Sequence, residues 1–197
     1  MRSASRKSRR EPRRAGELAL TPTEVERLLA AVDRTDDDAL LRLAVSTGIR
    51  REDLVAIERA SVDLGADIGW VSYFESKKAR ERRVPVGGST LLAVRRQLNA
   101  LRGVRTKWLF PSRRGARGHV SGRCAWTILH RHLARAGLGP RPFHALRGTA
   151  VKLAQSRGWS IEQIAELTGD SVRTIQTHYS VPSRDEMTEV ARSHPLI

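Results

Sequence analysis

Apolar residues recur at helical spacing along most of the chain, and the pattern switches to strand-like alternation in one short stretch. Leu20-Thr21-Pro22-Thr23-Glu24 opens the first regular segment. Thr21 is placed to cap a helix, Pro22 suits the first helical position, and Glu24 completes a capping box. Val25, Leu28, Leu29 and Val32 then fall on one face. A second helix is expected over about Asp38 to Ser46, stopped by Thr47-Gly48, and a third near Arg51 carries Leu54 and Ile57. At Ser61 the spacing changes. Val62-Asp63-Leu64 is short, and Gly65-Ala66-Asp67 is a turn. Gly69-Trp70-Val71-Ser72-Tyr73-Phe74 is rich in strand formers, and Arg83-Val84-Pro85-Val86 returns after the polar run Ser76–Glu81. Helical spacing resumes over Thr90–Leu101, Ser121–Gly137 and His144–Arg157, the last ended by Gly158. Ser160 caps another helix that stops at Gly169. Asp170 or Ser171 caps the next, and Asp185–Ser193 forms a last amphipathic turn or two. The expected fold class is mainly α with a small three-stranded antiparallel β-sheet, an α+β arrangement, with no internal repeat.

Charge narrows the partners. Lys plus Arg number 36 against 21 Asp plus Glu, a net +15 on 197 residues. That excess points to a polyanion, most simply nucleic acid. Arginine supplies most of it, which suits bidentate phosphate contacts but equally suits a GC-rich genome. Arg2, Arg6, Lys7, Arg9, Arg10, Arg13 and Arg14 crowd the start, so residues 1–16 read as a basic disordered tail and residues 17–197 as the folded domain. Cys124 is the only cysteine, which excludes an internal disulfide. No apolar run reaches the ~20 residues a membrane span needs, and a cytoplasmic location is expected. The six histidines are scattered, and His130 and His132 fall on different sides of a helix, so no metal site is expected.

Four segments carry candidate chemistry. Ser46-Thr47-Gly48-Ile49-Arg50-Arg51-Glu52-Asp53-Leu54 sets Arg50 at a helix start behind a glycine turn. Asp53, three residues on, is on the same face and is expected to hold the guanidinium. Alone, this reads as readily as a surface ion pair. Glu75 to Pro85 gathers Lys77, Lys78, Arg80, Arg82 and Arg83 on a hairpin, which by itself is a charged guard for a sheet edge. Pro142-Phe143-His144-Ala145-Leu146-Arg147-Gly148-Thr149 presents His144 and Arg147 to one ligand. Leu167-Thr168-Gly169-Asp170-Ser171 is followed by His178-Tyr179.

In this order and spacing the segments resemble the active-site boxes of tyrosine recombinases, the phage-integrase enzymes. The first is similar to Thr-Gly-Leu-Arg with a following acid and Leu. The hairpin resembles Gly-Lys-Gly-x-Lys-x-Arg-x-Val-Pro, the third His-x-Leu-Arg, and the fourth Leu-Gly-His-Ser with a tyrosine nine residues after its histidine. The likeness spans roughly residues 20–190. It implies a tyrosine recombinase/type IB topoisomerase-like catalytic domain that cuts and rejoins DNA through a 3′-phosphotyrosine. Arg50 and Arg147 would clamp the phosphate, with His144 donating to it or assisting proton transfer. Lys77, or its neighbour Lys78, would protonate the leaving 5′ oxygen, and Tyr179 would be the nucleophile. Arg80, Arg82 and Arg173 are the expected DNA contacts. The resemblance implies no cofactor. It implies double-stranded DNA as partner and a homo-oligomer, a tetramer, assembled on it, alone or with another recombinase or accessory protein.

Two features depart from that pattern. Asp170 stands where the family usually has His, and an ionised carboxylate repels a phosphate. It is expected to cap the following helix, to donate as a protonated acid, or to mark a DNA-binding protein that has lost cleavage, with His178 as a candidate substitute donor. The ~20 residues before Thr21 are also too few for the N-terminal helical DNA-binding domain that the family usually carries. A rival reading takes Ser160 to Tyr179 as the helix-turn-helix of a regulator, with Arg173, Thr174 and Gln176 on base edges.

Overall fold

The computed structural model describes residues 15–112, 118–179, 184–193 and 195. The basic run of residues 2–14 lies outside them. Helix α1 (Pro22–Ala30) begins with the expected capping box on Thr21 and Glu24. Helix α2 (Thr35–Thr47) starts three residues earlier than the apolar spacing indicates. Asp36, Asp37 and Asp38 occupy its first turn, where carboxylates complement the helix dipole. Helix α3 (Arg51–Val55) follows directly. The sheet is β1 (Val62–Asp63), β2 (Ile68–Glu75) and β3 (Arg80–Gly87), antiparallel in the order β1-β2-β3. Helices α4 (Gly88–Ala100), α5 (Gly122–Arg135), α6 (Ala145–Ser156), α7 (Ile161–Thr168), α8 (Val172–His178) and α9 (Arg184–Ser193) complete the chain. The mainly helical class with a small three-stranded sheet is the one that the periodicity indicates.

Regular structure begins before Leu20. Ala15–Leu18 forms a 3-10 turn, and Leu20 N–H donates to Thr149 Oγ1 of α6 at 2.8 Å. Gly16 permits a close approach: a Cβ there would lie 3.1 Å from His178 O and 3.3 Å from Tyr179 Cα. The turn therefore rests against the end of α8, and the boundary expected at residue 16 falls inside it.

Most of the buried apolar side chains form one core between α1–α5 and the inner face of the sheet, including Leu28, Leu41, Leu54, Val71, Val84, Phe110 and Leu129. A smaller core holds α6, α7 and α8 together through Val151, Ala154, Ile164, Ala165, Ile175 and Tyr179. A buried polar joint ties three helices of the main core. His132 Nε2 of α5 meets Asp37 Oδ2 of α2 at 2.8 Å, and Nδ1 faces Ala31 O, just past α1, at 3.3 Å. Arg131 and Arg34 lie farther from Asp37, at 3.7 and 3.9 Å. Removing the imidazole leaves a buried carboxylate with only those two distant cations. His132→Ala is expected to cost about 2–4 kcal/mol of stability in urea denaturation. A loss below about 0.5 kcal/mol would contradict this account of the joint.

Candidate active site

The sheet delivers its residues by alternation. On β2, Val71, Tyr73 and Glu75 point inward, and on β3 so do Arg82, Val84 and Val86. The register pairs Glu75 with Arg80 across a turn over Ser76–Ala79. Glu75 is fully buried, yet both of its oxygens are paired. Oε1 accepts from Arg50 Nη1, and Oε2 accepts from Arg80 Nε at 2.8 Å. Burial opposes ionisation of Glu75, but Arg80 and Arg50 outweigh it and hold the carboxyl below the usual glutamate range.

Two glycines bring the helix ends together. Gly48 ends α2 at φ 65°, a left-handed conformation that glycine adopts without strain. A Cβ there would lie 3.3 Å from Arg147 Cγ, Ala150 Cβ and Thr168 Cγ2, so α2, α6 and α7 meet at this point. The Gly48 carbonyl accepts from Arg147 Nη1 at 2.6 Å. Gly169 ends α7 at φ 77°, and its carbonyl accepts from Lys78 Nζ at 2.6 Å.

Asp170 follows that glycine and joins the cluster. Its Oδ2 accepts from Arg147 Nε at 2.9 Å, and its Oδ1 lies 2.7 Å from Arg147 Nη2 and 3.3 Å from Arg50 Nη2. The expectation that Asp170 caps α8 is not met. Ser171 is the cap, its side chain accepting from Thr174 N–H. Both Asp170 oxygens instead face guanidinium groups, which donate and do not accept.

Tyr179 closes the far side. The residue is 3% exposed, packed in the smaller core, and its hydroxyl lies 3.2 Å from His144 Nε2. Burial, reinforced by the Asp170 charge, raises the phenol above the ordinary tyrosine range. His144 sits just before α6, and its pKa is lowered, first by desolvation of the ring and then by Arg147, Arg50 and Lys77, against the pull of Asp170. An imidazole held neutral beside a protonated phenol is an acceptor for its proton.

An open cleft of about 590 Å³ gives access to this cluster and is lined by Arg50, Arg51, Asp53, Lys77, Trp126, His144 and Arg147, among others. A larger groove of about 680 Å³ is mostly apolar and lined by Val25, Val45, Ile68, Leu153 and Trp159; none of the clustered ionisable groups borders it. The structure thus gathers Arg50, Lys77, Lys78, His144, Arg147, Asp170 and Tyr179. Lys78 is tied to Gly169, whereas Lys77 is exposed, faces the cleft and makes no hydrogen bond or ion pair with the described residues.

Three expected roles change. Asp53 does not hold Arg50. Its Oδ1 accepts from Ser76 N–H at 3.2 Å and Ser76 Oγ at 2.7 Å, fastening the hairpin turn to α3, and Glu75 holds the arginine instead. Arg82, expected on the DNA surface, points inward and is 8% exposed, its guanidinium donating to Glu166 O. Arg80 is exposed but paired with Glu75, and Arg173 is exposed. His178 points to solvent while Tyr179 points inward, so it does not replace Asp170 as a donor. Sequence reasoning missed Glu75 and Trp126. Counting by twos from Val71 and Tyr73 places Glu75 on the inner face. Trp126 is 42% exposed, stacks on His130 with ring centroids 3.9 Å apart, and walls the cleft. No group of three or more His, Cys, Asp or Glu among the described residues is arranged to hold a metal.

This fold is that of tyrosine recombinase catalytic domains. The solved structure of XerA recombinase superposes with a TM-score of 0.78 at 23% identity, over 90% of this chain and 65% of that one. A lambda integrase tetramer bound to a Holliday junction superposes at 0.67 and 19% identity, over 91% of this chain and 53% of that one. The chain belongs to the phage integrase family, whose profile matches residues 19–184. Tyrosine recombinase XerC of Roseiflexus castenholzii is 30% identical over 90% of this chain, which spans 59% of the length of that relative.

Proposed function

We propose that this chain is the catalytic part of a site-specific DNA recombinase that works through a 3′-phosphotyrosine. The observation that carries the reading is the convergence of Arg50 and Arg147 on one anion beside a tyrosine hydroxyl and a neutral histidine. In this reading the two guanidinium groups hold the non-bridging oxygens of a phosphodiester, where fixed donors lower the barrier most. His144 Nε2 takes the phenol proton, Tyr179 Oη forms the bond to phosphorus, and the bond from phosphorus to the 5′ oxygen breaks. Lys77 gives its proton to that oxygen. A 5′ hydroxyl from another strand reverses the step. The phosphoryl bond is kept in the enzyme link, so rejoining needs no nucleotide hydrolysis. The expected test result is relaxation of supercoiled plasmid without ATP, and a plasmid left supercoiled by protein that binds it would contradict the reading.

The pH dependence has a definite sign. His144 has a lowered pKa, so it stays neutral at pH 7 and on down past the ordinary histidine value of about 6.5. Single-turnover cleavage is expected to be flat through neutrality and to fall only when the pH drops below that value. An acid limb centred above pH 7 would remove His144 from the base role.

The proposed partner is double-stranded DNA, which suits the +15 charge, and the proposed location is the cytoplasm. Among the described residues no helix is long and apolar enough to cross a membrane. Assembly on DNA belongs to the same proposal. Helix α9 exposes Met187 and Val190 at 54% and 55%, which suits docking on a neighbouring protomer. Truncation after Pro182 is expected to weaken DNA-dependent assembly in sedimentation, and unchanged assembly would count against that role. The regulator reading leaves the Arg50, Lys77 and His144–Arg147 segments without a purpose.

A further inference from the structure

Asp170 occupies the edge of Arg147 that a ligand would need. Its two oxygens take Nε at 2.9 Å and face Nη2 at 2.7 Å, while Nη1 is committed to Gly48 O at 2.6 Å. The second nitrogen of Arg50 reaches the same carboxylate at 3.3 Å. The Nε contact is a hydrogen bond and the Nη2 contact an ion pair without an aligned hydrogen bond. The carboxylate therefore sits along the edge by which arginine grips a phosphate and leaves Nη2 without a hydrogen-bond partner among the described residues. The side chains of Arg147 and Asp170 are only 3% and 11% exposed, so solvent does little to screen the contact. We propose that Asp170 is a built-in occupant of the phosphate seat, a positioning residue that holds both arginines in the empty enzyme and that the DNA phosphate displaces. The proposal rests on the reading of this cluster as a phosphodiester-cleaving site.

The displacement has a mechanical consequence. Asp170 lies between Gly169, the left-handed end of α7, and Ser171, the cap of α8. Tyr179 directly follows the last residue of α8, and its hydroxyl is turned toward His144 within the core. When the carboxylate leaves the arginines, the turn that starts α8 moves with it, and the tyrosine is freed. The nucleophile is thereby kept covered until a phosphate arrives. The seat also selects its ligand. A tethered carboxylate competes at high effective concentration, so a free phosphate ion fails to displace it. A phosphate carried by a duplex that makes many other contacts succeeds.

The test uses the full chain and a random-sequence duplex, with affinity read by fluorescence anisotropy. Asp170→Asn removes the competitor and is expected to tighten binding about tenfold or more. Glu166→Gln removes the same charge from a side chain that is 85% exposed and is expected to change affinity less than about twofold. Asp170→Ser is a second neutral variant and is expected to match Asp170→Asn. Tyrosine nitration supplies an independent readout, because Tyr73 and Tyr179 are the only two tyrosines. In free protein Tyr179 is expected to be protected in wild type and nitrated in both Asp170 variants, with Tyr73 protected throughout. Equal tightening by the Asp170 and Glu166 variants, no tightening at all, or nitration of both tyrosines would overturn the proposal. No readout depends on cleavage. Protein that shows these changes but never forms an adduct would sink the recombinase reading alone, and adduct formation with flat readouts would sink this inference alone.

Discussion

Tyr179→Phe is expected to abolish covalent capture of DNA, a loss of at least about four orders of magnitude in single-turnover cleavage, while DNA affinity stays within about twofold. The hydroxyl and the ring have separate roles. The ring is part of the smaller core with Ile164 and Ile175, and phenylalanine keeps that packing. The hydroxyl's contacts to His144 Nε2 and Arg147 are lost, which costs about 1–3 kcal/mol of stability. None of the other described groups in the cluster offers an oxygen nucleophile of the same kind: Glu75 and Asp170 are committed to arginines. Residual capture above a few per cent of wild type would mean that another group attacks.

Arg147→Lys is expected to lower cleavage about 10²–10³-fold and to cost about 2–4 kcal/mol of stability. Arginine does two jobs here that one ammonium cannot. Its Nη1 supports the Gly48 carbonyl at the junction of α2, α6 and α7, and its Nε and Nη2 present a planar fork to the anion. Lysine keeps the charge but supplies one nitrogen, so either the carbonyl or the anion loses its partner. Urea denaturation and single-turnover cleavage read the two losses separately. A lysine variant that cleaves within tenfold of wild type would show that charge alone suffices and that the fork is not the active feature.

Much of this was legible in the chain. Caps and breakers carried the fold: the Thr21–Glu24 box, Gly48, the Ser160–Gln163 box and Gly169 each end or begin a helix where the pattern indicates. The resemblance of four segments to the recombinase boxes carried the cluster of Arg50, His144, Arg147 and Tyr179. What sequence reasoning missed depends on tertiary packing. Asp53 sits one helical turn from Arg50, the local partner by spacing, but the hairpin turn offers Ser76 to it and Glu75 to the arginine. Arg82 reads as a surface charge in a basic run, yet the alternation through Val84 and Val86 turns it inward, under Gly169. The pairing of Asp170 with two arginines distant in sequence has no local signature, so capping was the natural expectation. The 3-10 turn at Ala15–Leu18 is set by its contact with the end of α8, which apolar spacing does not encode.

The central claim is that Tyr179 attacks a phosphate clamped by Arg50 and Arg147. Its most direct test is covalent trapping on a pool of nicked suicide duplexes, comparing wild type, Tyr179→Phe and Asp170→His, with the attached peptide identified by mass spectrometry. The account predicts a denaturation-resistant adduct through Tyr179 in wild type, at least as much from Asp170→His, and none from Tyr179→Phe. Protein that binds the duplexes yet forms no adduct in any of the three variants, or forms one through another residue, would contradict it.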